Sequence, residues 1–198
     1  MKPVPVTTGA LPPAEERVAI VDEQNRVVGS APRREMRARR LPHRATYILV
    51  FNSRGELCVQ KRTQSKDVFP GYWDVAAGGV VLAGEAYEES AGRELAEELG
   101  VRGMPLEPLF EFYYADERTR VWGSAFRCVY DGDLVLQEDE VEGVEWMRVE
   151  EVSRRAASEP FTPDGLLVLR RYLETRAKRV LPQNAEAISG EDSRMPRS

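Results

Sequence analysis

Glu94, Glu97 and Glu98 are the residues of this chain whose type and spacing point most directly to chemistry. They fall between Ala86 and Leu99, where apolar periodicity predicts a helix stopped by Gly100. At about 100° per residue, with Glu94 at zero, Glu97 lies near −60° and Glu98 near +40°, so three carboxylates share one face. Ala91, Leu95 and Leu99 form a neighbouring stripe at about 60° to 140°, which predicts burial against a sheet that would hold the carboxylates in place. Carboxylates three and four residues apart repel, and a hard cation is the natural compensation; magnesium or manganese prefers such oxygen ligands. Glu89 and Arg93, four apart, are expected to pair along the same helix. Taken alone, the pattern also describes a solvated, glutamate-rich helix.

The wider spacing separates these readings. Gly79, five residues, Glu85, seven residues and then Arg93-Glu94-Leu95-Ala96-Glu97-Glu98-Leu99-Gly100-Val101 resembles the complete Nudix box, with apolar residues at both expected places, Leu95 and Val101. Seven fixed matches, each at roughly one in fifteen, arise about once in 10⁸ random starts. The resemblance implies a Nudix α/β/α sandwich with a mixed β-sheet over most of Glu15 to Arg179, and hydrolysis of a diphosphate linkage. It implies that Glu94, Glu97 and Glu98 hold a metal ion, with the Gly79 carbonyl as a further ligand, while Glu85 and Arg93 orient them. Mg²⁺, or Mn²⁺, is the expected cofactor. For the general base, the resemblance leaves two candidates, Glu94 and Glu140. Glu140 lies six residues before Trp146 in an acidic stretch where Glu138, Asp139 and Glu142 compete for the role.

The segment Gln60 to Trp73 is similar to the isopentenyl-diphosphate isomerase branch of the family, whose members place an Arg and a Lys, four apart, on the substrate diphosphate. Here those are Arg62 and Lys66. The isomerase's catalytic cysteine is replaced by Gly78, and His43 is the only histidine where that enzyme uses several. His43 is therefore read as structural. The chain thus resembles bacterial Nudix hydrolases related to that isomerase, acting on a nucleoside diphosphate derivative or a similar small organic diphosphate. An isoprenoid diphosphate isomerase and a non-catalytic nucleotide-binding module are the alternatives. Tyr72, Trp73, Phe112, Tyr113, Tyr114 and Trp122 are candidates to stack on a base, although aromatics at strand spacing usually belong to a core.

Several elements must position this helix. Arg17–Val21 and Arg26–Gly29 read as one hairpin, and Thr46–Phe51 with Leu57–Gln60 as a second, more buried one. Ala31–Arg40 reads as a short helix and Trp73–Ala77 as a strand leading into the Gly78-Gly79 loop. Leu109–Tyr114, Val121–Tyr130 and Val144–Met147 read as strands. Thr162-Pro163-Asp164 supplies an N-cap, a first-position proline and a first-turn acid for a last helix reaching about Arg179. The pattern is mixed α/β in one domain, 15–180, flanked by flexible segments 1–14 and 181–198.

Composition narrows the classes. With 28 Lys and Arg against 33 Asp and Glu, the net charge of −5 argues against a general nucleic-acid binder. No apolar run approaches the roughly 20 residues of a membrane span, and the start lacks a secretory pattern, so a cytoplasmic protein is expected. Cys58 and Cys128 sit in apolar runs and read as buried thiols. A small-molecule diphosphate is the expected partner, with no nucleic acid and no membrane, and with a homodimer left open. Six arginines crowd residues 33–44, either a solvated basic face or an electropositive approach to an anionic substrate.

Overall fold

The computed structural model describes residues 12–180. Of the segments 1–14 and 181–198, read as flexible from the sequence, 1–11 and 181–198 lie outside the described residues, and Pro13–Glu15 form a 3₁₀ turn. The elements run β1 (Arg17–Val21), β2 (Val27–Pro32), α1 (Arg33–Arg39), β3 (His43–Phe51), β4 (Leu57–Arg62), β5 (Trp73–Asp74) and α2 (Tyr87–Leu99). They continue with β6 (Glu107–Ala115), β7 (Arg120–Val129), β8 (Val141–Met147), α3 (Val149–Arg155) and α4 (Pro163–Val180). The start of α4 falls where the Thr-Pro-Asp signal puts it, and the Leu166 amide donates to the Thr162 carbonyl at 3.0 Å. Helix α3 was not read from the sequence; at seven residues it is too short to carry a clear helical period.

The eight strands form one mixed sheet with an apolar core on each face. On one face Ala91, Leu95 and Leu99 of α2 pack with Ile48, Val50, Phe126 and Cys128, and the apolar stripe read from the sequence is this contact. On the other, Val168, Leu169 and Tyr172 of α4 and Val152 of α3 pack with Leu49, Phe51, Leu57 and Val59. The alternation along β3, even residues to α2 and odd residues to α4, follows from the two-residue strand period.

The second hairpin is not a simple one. Strands β3 and β4 pair only at Phe51 and Leu57. Beyond that point β3 runs parallel to β7, from His43 beside Val121 to Phe51 beside Val129, while β4 runs antiparallel to β8. Splaying a hairpin leaves backbone groups on its two inner edges without partners, and such groups must be satisfied. Residues 73–82 do this by crossing from one edge to the other: Asp74 lies opposite Gln60 on β4, whereas Ala77 and Val80 bridge to Ile48 and Ala45 on β3. That crossing is why the expected strand Trp73–Ala77 is a strand only at Trp73–Asp74. It also puts Gly78 and Gly79 between β3 and α2.

Candidate active site

Helix α2 turns its carboxylates toward the split between β3 and β4. Glu94 and Glu98 are buried, 6% and 2% exposed, whereas the Glu97 side chain is half exposed at the rim. Burial works against the ionised form of Glu94, with Arg93 and then Arg33 opposing it, and its pKa is raised. For Glu98 burial dominates, eased by Lys66 and worsened by Glu94, and the carboxyl is pushed up to about 8.

Arg93 binds the acidic side chains together. Its Nε and Nη2 donate to the two oxygens of Glu85 at 2.7 and 3.0 Å, and its Nη1 donates to Glu94 at 2.8 Å and Glu97 at 3.1 Å. A bidentate guanidinium of this kind fixes orientation as well as charge. The expected Glu89–Arg93 pair does not form. Glu89 instead reaches back to accept the Ala86 amide at 3.0 Å, because an acid at the third helical position serves the unpaired N–H groups of the first turn better than a solvated ion pair.

Glu98 accepts hydrogen bonds from the Gly78 amide at 3.0 Å and from Gln60 Nε2 at 3.2 Å. Lys66 Nζ stands 2.5 Å from Glu140 and 3.9 Å from Glu98, bridging the loop after β4 to α2. Of the four competing acids, Glu140 alone lines the cleft, while Glu138, Asp139 and Glu142 are exposed. Thr63 and Ser65 hold this arrangement by donating from their hydroxyls to the Asp139 carbonyl, at 2.9 and 3.0 Å.

The two glycines before α2 are there for space. A Cβ on Gly79 would meet the Glu94 carboxylate at 2.5 Å. A Cβ on Gly78 would lie 2.1 Å from the Thr46 carbonyl oxygen, at a φ of +144° that side-chain-bearing residues rarely adopt. No cysteine fits at Gly78 without moving β3. The Gly79 carbonyl already accepts the Thr46 amide at 2.9 Å, which leaves one lone pair free.

Glu94, Glu97, Arg93, Lys66, Glu140 and the Gly78-Gly79 loop line a cleft of about 390 Å³, whose wall also includes Gln137, Tyr47, Arg33 and Arg37 and the buried His43, while Glu98 lies behind the lining. Arg62 lines it too, but its guanidinium is committed to the loop: Nη2 donates to the Val68 carbonyl at 2.8 Å, Nε to that of Phe69 at 3.3 Å, and Nη1 lies 3.4 Å from Asp74. None of the six aromatics singled out from the sequence lines the cleft; Phe112, for example, is core, and the aromatics that do line it are Tyr47 and Phe69. Gln60 was also missed. Its signal was a lone polar residue after the apolar run Leu57-Cys58-Val59, ambiguous because a strand end reads the same way. Cys58 and Cys128 are buried free thiols, as expected.

His43 is 2% exposed, and its Nδ1 lies 2.9 Å from the Leu41 carbonyl. Burial, reinforced by nearby Arg37, lowers its pKa from 6.5 to about 4. The folded chain therefore favours the neutral ring. That preference contributes stability above the unfolded value of 6.5 and is lost as the pH falls from there through about 4. Proton NMR of this single imidazole is expected to show no titration between about pH 5 and 8. A midpoint near the ordinary value would mean that the ring is solvated.

The donor set fits a hard divalent cation. Glu94, Glu97 and Glu98 offer carboxylate oxygens, two of them from buried groups whose charge needs compensation. Gln60 Oε1 is buried without a hydrogen-bond partner, on the same amide that donates to Glu98. Among the described residues no three acidic, histidine or cysteine side chains converge tightly enough to enclose an ion. Arg93 draws Glu94 and Glu97 toward itself, and Lys66 draws on Glu98 and Glu140.

The chain is similar to known proteins. The family model described as the NUDIX domain matches residues 41–172. The uncharacterized Nudix hydrolase PA4841 of Pseudomonas aeruginosa is 50% identical over 159 residues, which cover 80% of this chain and 94% of that protein. The uncharacterized Nudix hydrolase YfcD of Escherichia coli is 48% identical over 163 residues, covering 82% and 89%. Among solved structures, DR0079 of Deinococcus radiodurans superposes with a TM-score of 0.69 at 31% identity, covering 78% of this chain and 98% of that one. With the Nudix box folded as an acidic helix beside a cleft, the chain belongs to the Nudix hydrolases, enzymes that cleave diphosphate bonds.

Proposed function

We propose that the chain is a magnesium-dependent hydrolase of a nucleoside diphosphate derivative or a similar small organic diphosphate. The observation that carries this reading is the pair of buried carboxylates, Glu94 and Glu98, set beside Glu97 with Gln60 Oε1 unpartnered next to them. Members of the family generally use a divalent metal. Here Glu94, Glu97 and Glu98 would hold it, with the free lone pair of the Gly79 carbonyl as a further donor. When bound, a divalent ion supplies charge neutralisation for the diphosphate and acidifies a water.

In this reading the chain's own groups do the rest. Arg93 and Glu85 keep the helix carboxylates oriented. Glu140 or Glu94 accepts the proton of the attacking water. Lys66 takes a substrate phosphoryl oxygen, exchanging its contact with Glu140 for one with the anion, and Arg62 holds the loop that presents Lys66. The domain is taken as residues 15–180, acting on a small molecule rather than nucleic acid. No helix among the described residues is long and apolar enough to cross a membrane. The isomerase reading finds no support at Gly78, where a cysteine side chain would collide with Thr46.

Purified protein incubated with a broad panel of organic diphosphates, with and without Mg²⁺, is expected to release phosphate or a monophosphate only with the metal. Failure to release either from any of the panel at several pH values would overturn the proposal.

A further inference from the structure

The six arginines of residues 33–44 divide sharply in the fold. Arg34 pairs with Glu15 and Arg39 with Glu35, while Arg40 donates to the Asp116 carbonyl and Arg44 to Asn25. All four are engaged away from the cleft lining. Arg33 and Arg37, one turn apart on α1, line the cleft.

The Nε of each is buried with no hydrogen-bond partner. Each has one carboxylate beside it: Arg33 Nη2 is 3.2 Å from Glu16, and Arg37 Nε is a longer 3.6 Å from an Asp67 whose side chain is 63% exposed. Burial, with Arg33 and Arg62 nearby and Asp67 opposing, pulls the Arg37 guanidinium below its ordinary value. Arg33 and Arg37 line the same cleft as Glu94 and Glu97 of the acidic helix, and the Arg33 charge favours the ionised form of Glu94. A buried guanidinium N–H without an acceptor is costly, and an oxyanion relieves it with two parallel bonds. Arg62, by contrast, directs each of its three nitrogens to a protein acceptor, the Val68 and Phe69 carbonyls and Asp74.

We infer that Arg33 and Arg37 form a second anion site in the cleft, a clamp for a terminal phosphoryl group of the substrate, separate from Lys66 and from the carboxylates of the acidic helix. The inference rests on reading the cleft as a diphosphate site. A terminal phosphoryl group carries more charge than one esterified on both sides, so two guanidiniums favour it. Glu16 and Asp67 are the counter-ions it displaces. The class selected is an organic diphosphate or triphosphate with a free end, in preference to a diphosphate capped at both ends.

The test is binding of inorganic pyrophosphate to the full chain in metal-free buffer, measured by calorimetry. Wild type is expected to bind it, and the Arg33→Gln/Arg37→Gln double variant to bind at least tenfold more weakly, whereas Arg39→Gln binds as wild type does. The Arg33→Lys/Arg37→Lys variant, which keeps the charge but not the fork, is expected to fall between. Absence of binding by wild type, equal binding by the double variant, or an equal loss in Arg39→Gln would overturn the clamp. A thermal melt checks folding; if the double variant does not fold, the two single Gln variants are read by the same criteria. Arginine-dependent pyrophosphate binding without turnover of any substrate would sink the hydrolase reading and leave the clamp. Metal-dependent turnover with arginine-independent binding would do the reverse.

Discussion

Replacing Glu98 with glutamine is expected to lower turnover about a thousandfold, equivalent to about 4 kcal/mol of transition-state stabilisation, while the protein stays folded. The side chain is 2% exposed and nearly isosteric with glutamine, so its packing beside Gln60 of β4 and the Gly78 loop survives. What is lost is the negative charge and an oxygen that accepts from both the Gly78 amide and Gln60. Steady-state kinetics at saturating Mg²⁺, alongside a thermal melt, separates the two effects. Near wild-type turnover would move the catalytic centre away from α2.

The second large effect is on stability. In a Gly78→Cys variant the new Cβ would lie 2.1 Å from the Thr46 carbonyl oxygen and 2.8 Å from the Thr46 carbonyl carbon. Both atoms are backbone of β3, the strand that pairs with β7 along its whole length, and so cannot give way cheaply. With the positive φ added, the cost is expected to exceed about 3 kcal/mol, a large part of the 5–15 kcal/mol of a typical domain. Denaturant unfolding should show the midpoint fall sharply or the folded state disappear. A variant as stable as wild type would mean that the 73–82 crossing is looser than its hydrogen bonds to Ile48 and Thr46 indicate.

Both effects depend on one architectural feature that the sequence conveyed only in part. The helix and its buried stripe were legible because Ala91, Leu95 and Leu99 recur at helical spacing, and the box from Gly79 to Val101 is a local pattern. The splaying of β3 from β4 was not legible. Thr46–Phe51 and Leu57–Gln60 flank a turn and read as an ordinary hairpin, and what separates them is the non-local pairing of β3 with β7 and of β4 with β8.

The same limit applies within the cleft. Arg62 and Lys66 are four apart and read alike, but Lys66 reaches Glu140 and Glu98 whereas Arg62 turns back onto its own loop. The arginine-rich segment could be read as either a solvated face or an approach to an anionic substrate, and in the fold Arg33 and Arg37 line the cleft while Arg34, Arg39, Arg40 and Arg44 do not, since only one side of a seven-residue helix meets it. Gln60 and Tyr47 entered the site by strand register, which a single sequence does not reveal.

In the proposed function Glu94, Glu97 and Glu98 together hold the divalent ion that drives diphosphate cleavage. Electron paramagnetic resonance of Mn²⁺ titrated into the full chain tests it without needing the substrate. Saturable binding by wild type that is lost in the Glu94→Gln/Glu98→Gln variant is the predicted result. Equal Mn²⁺ binding by the two proteins would contradict it.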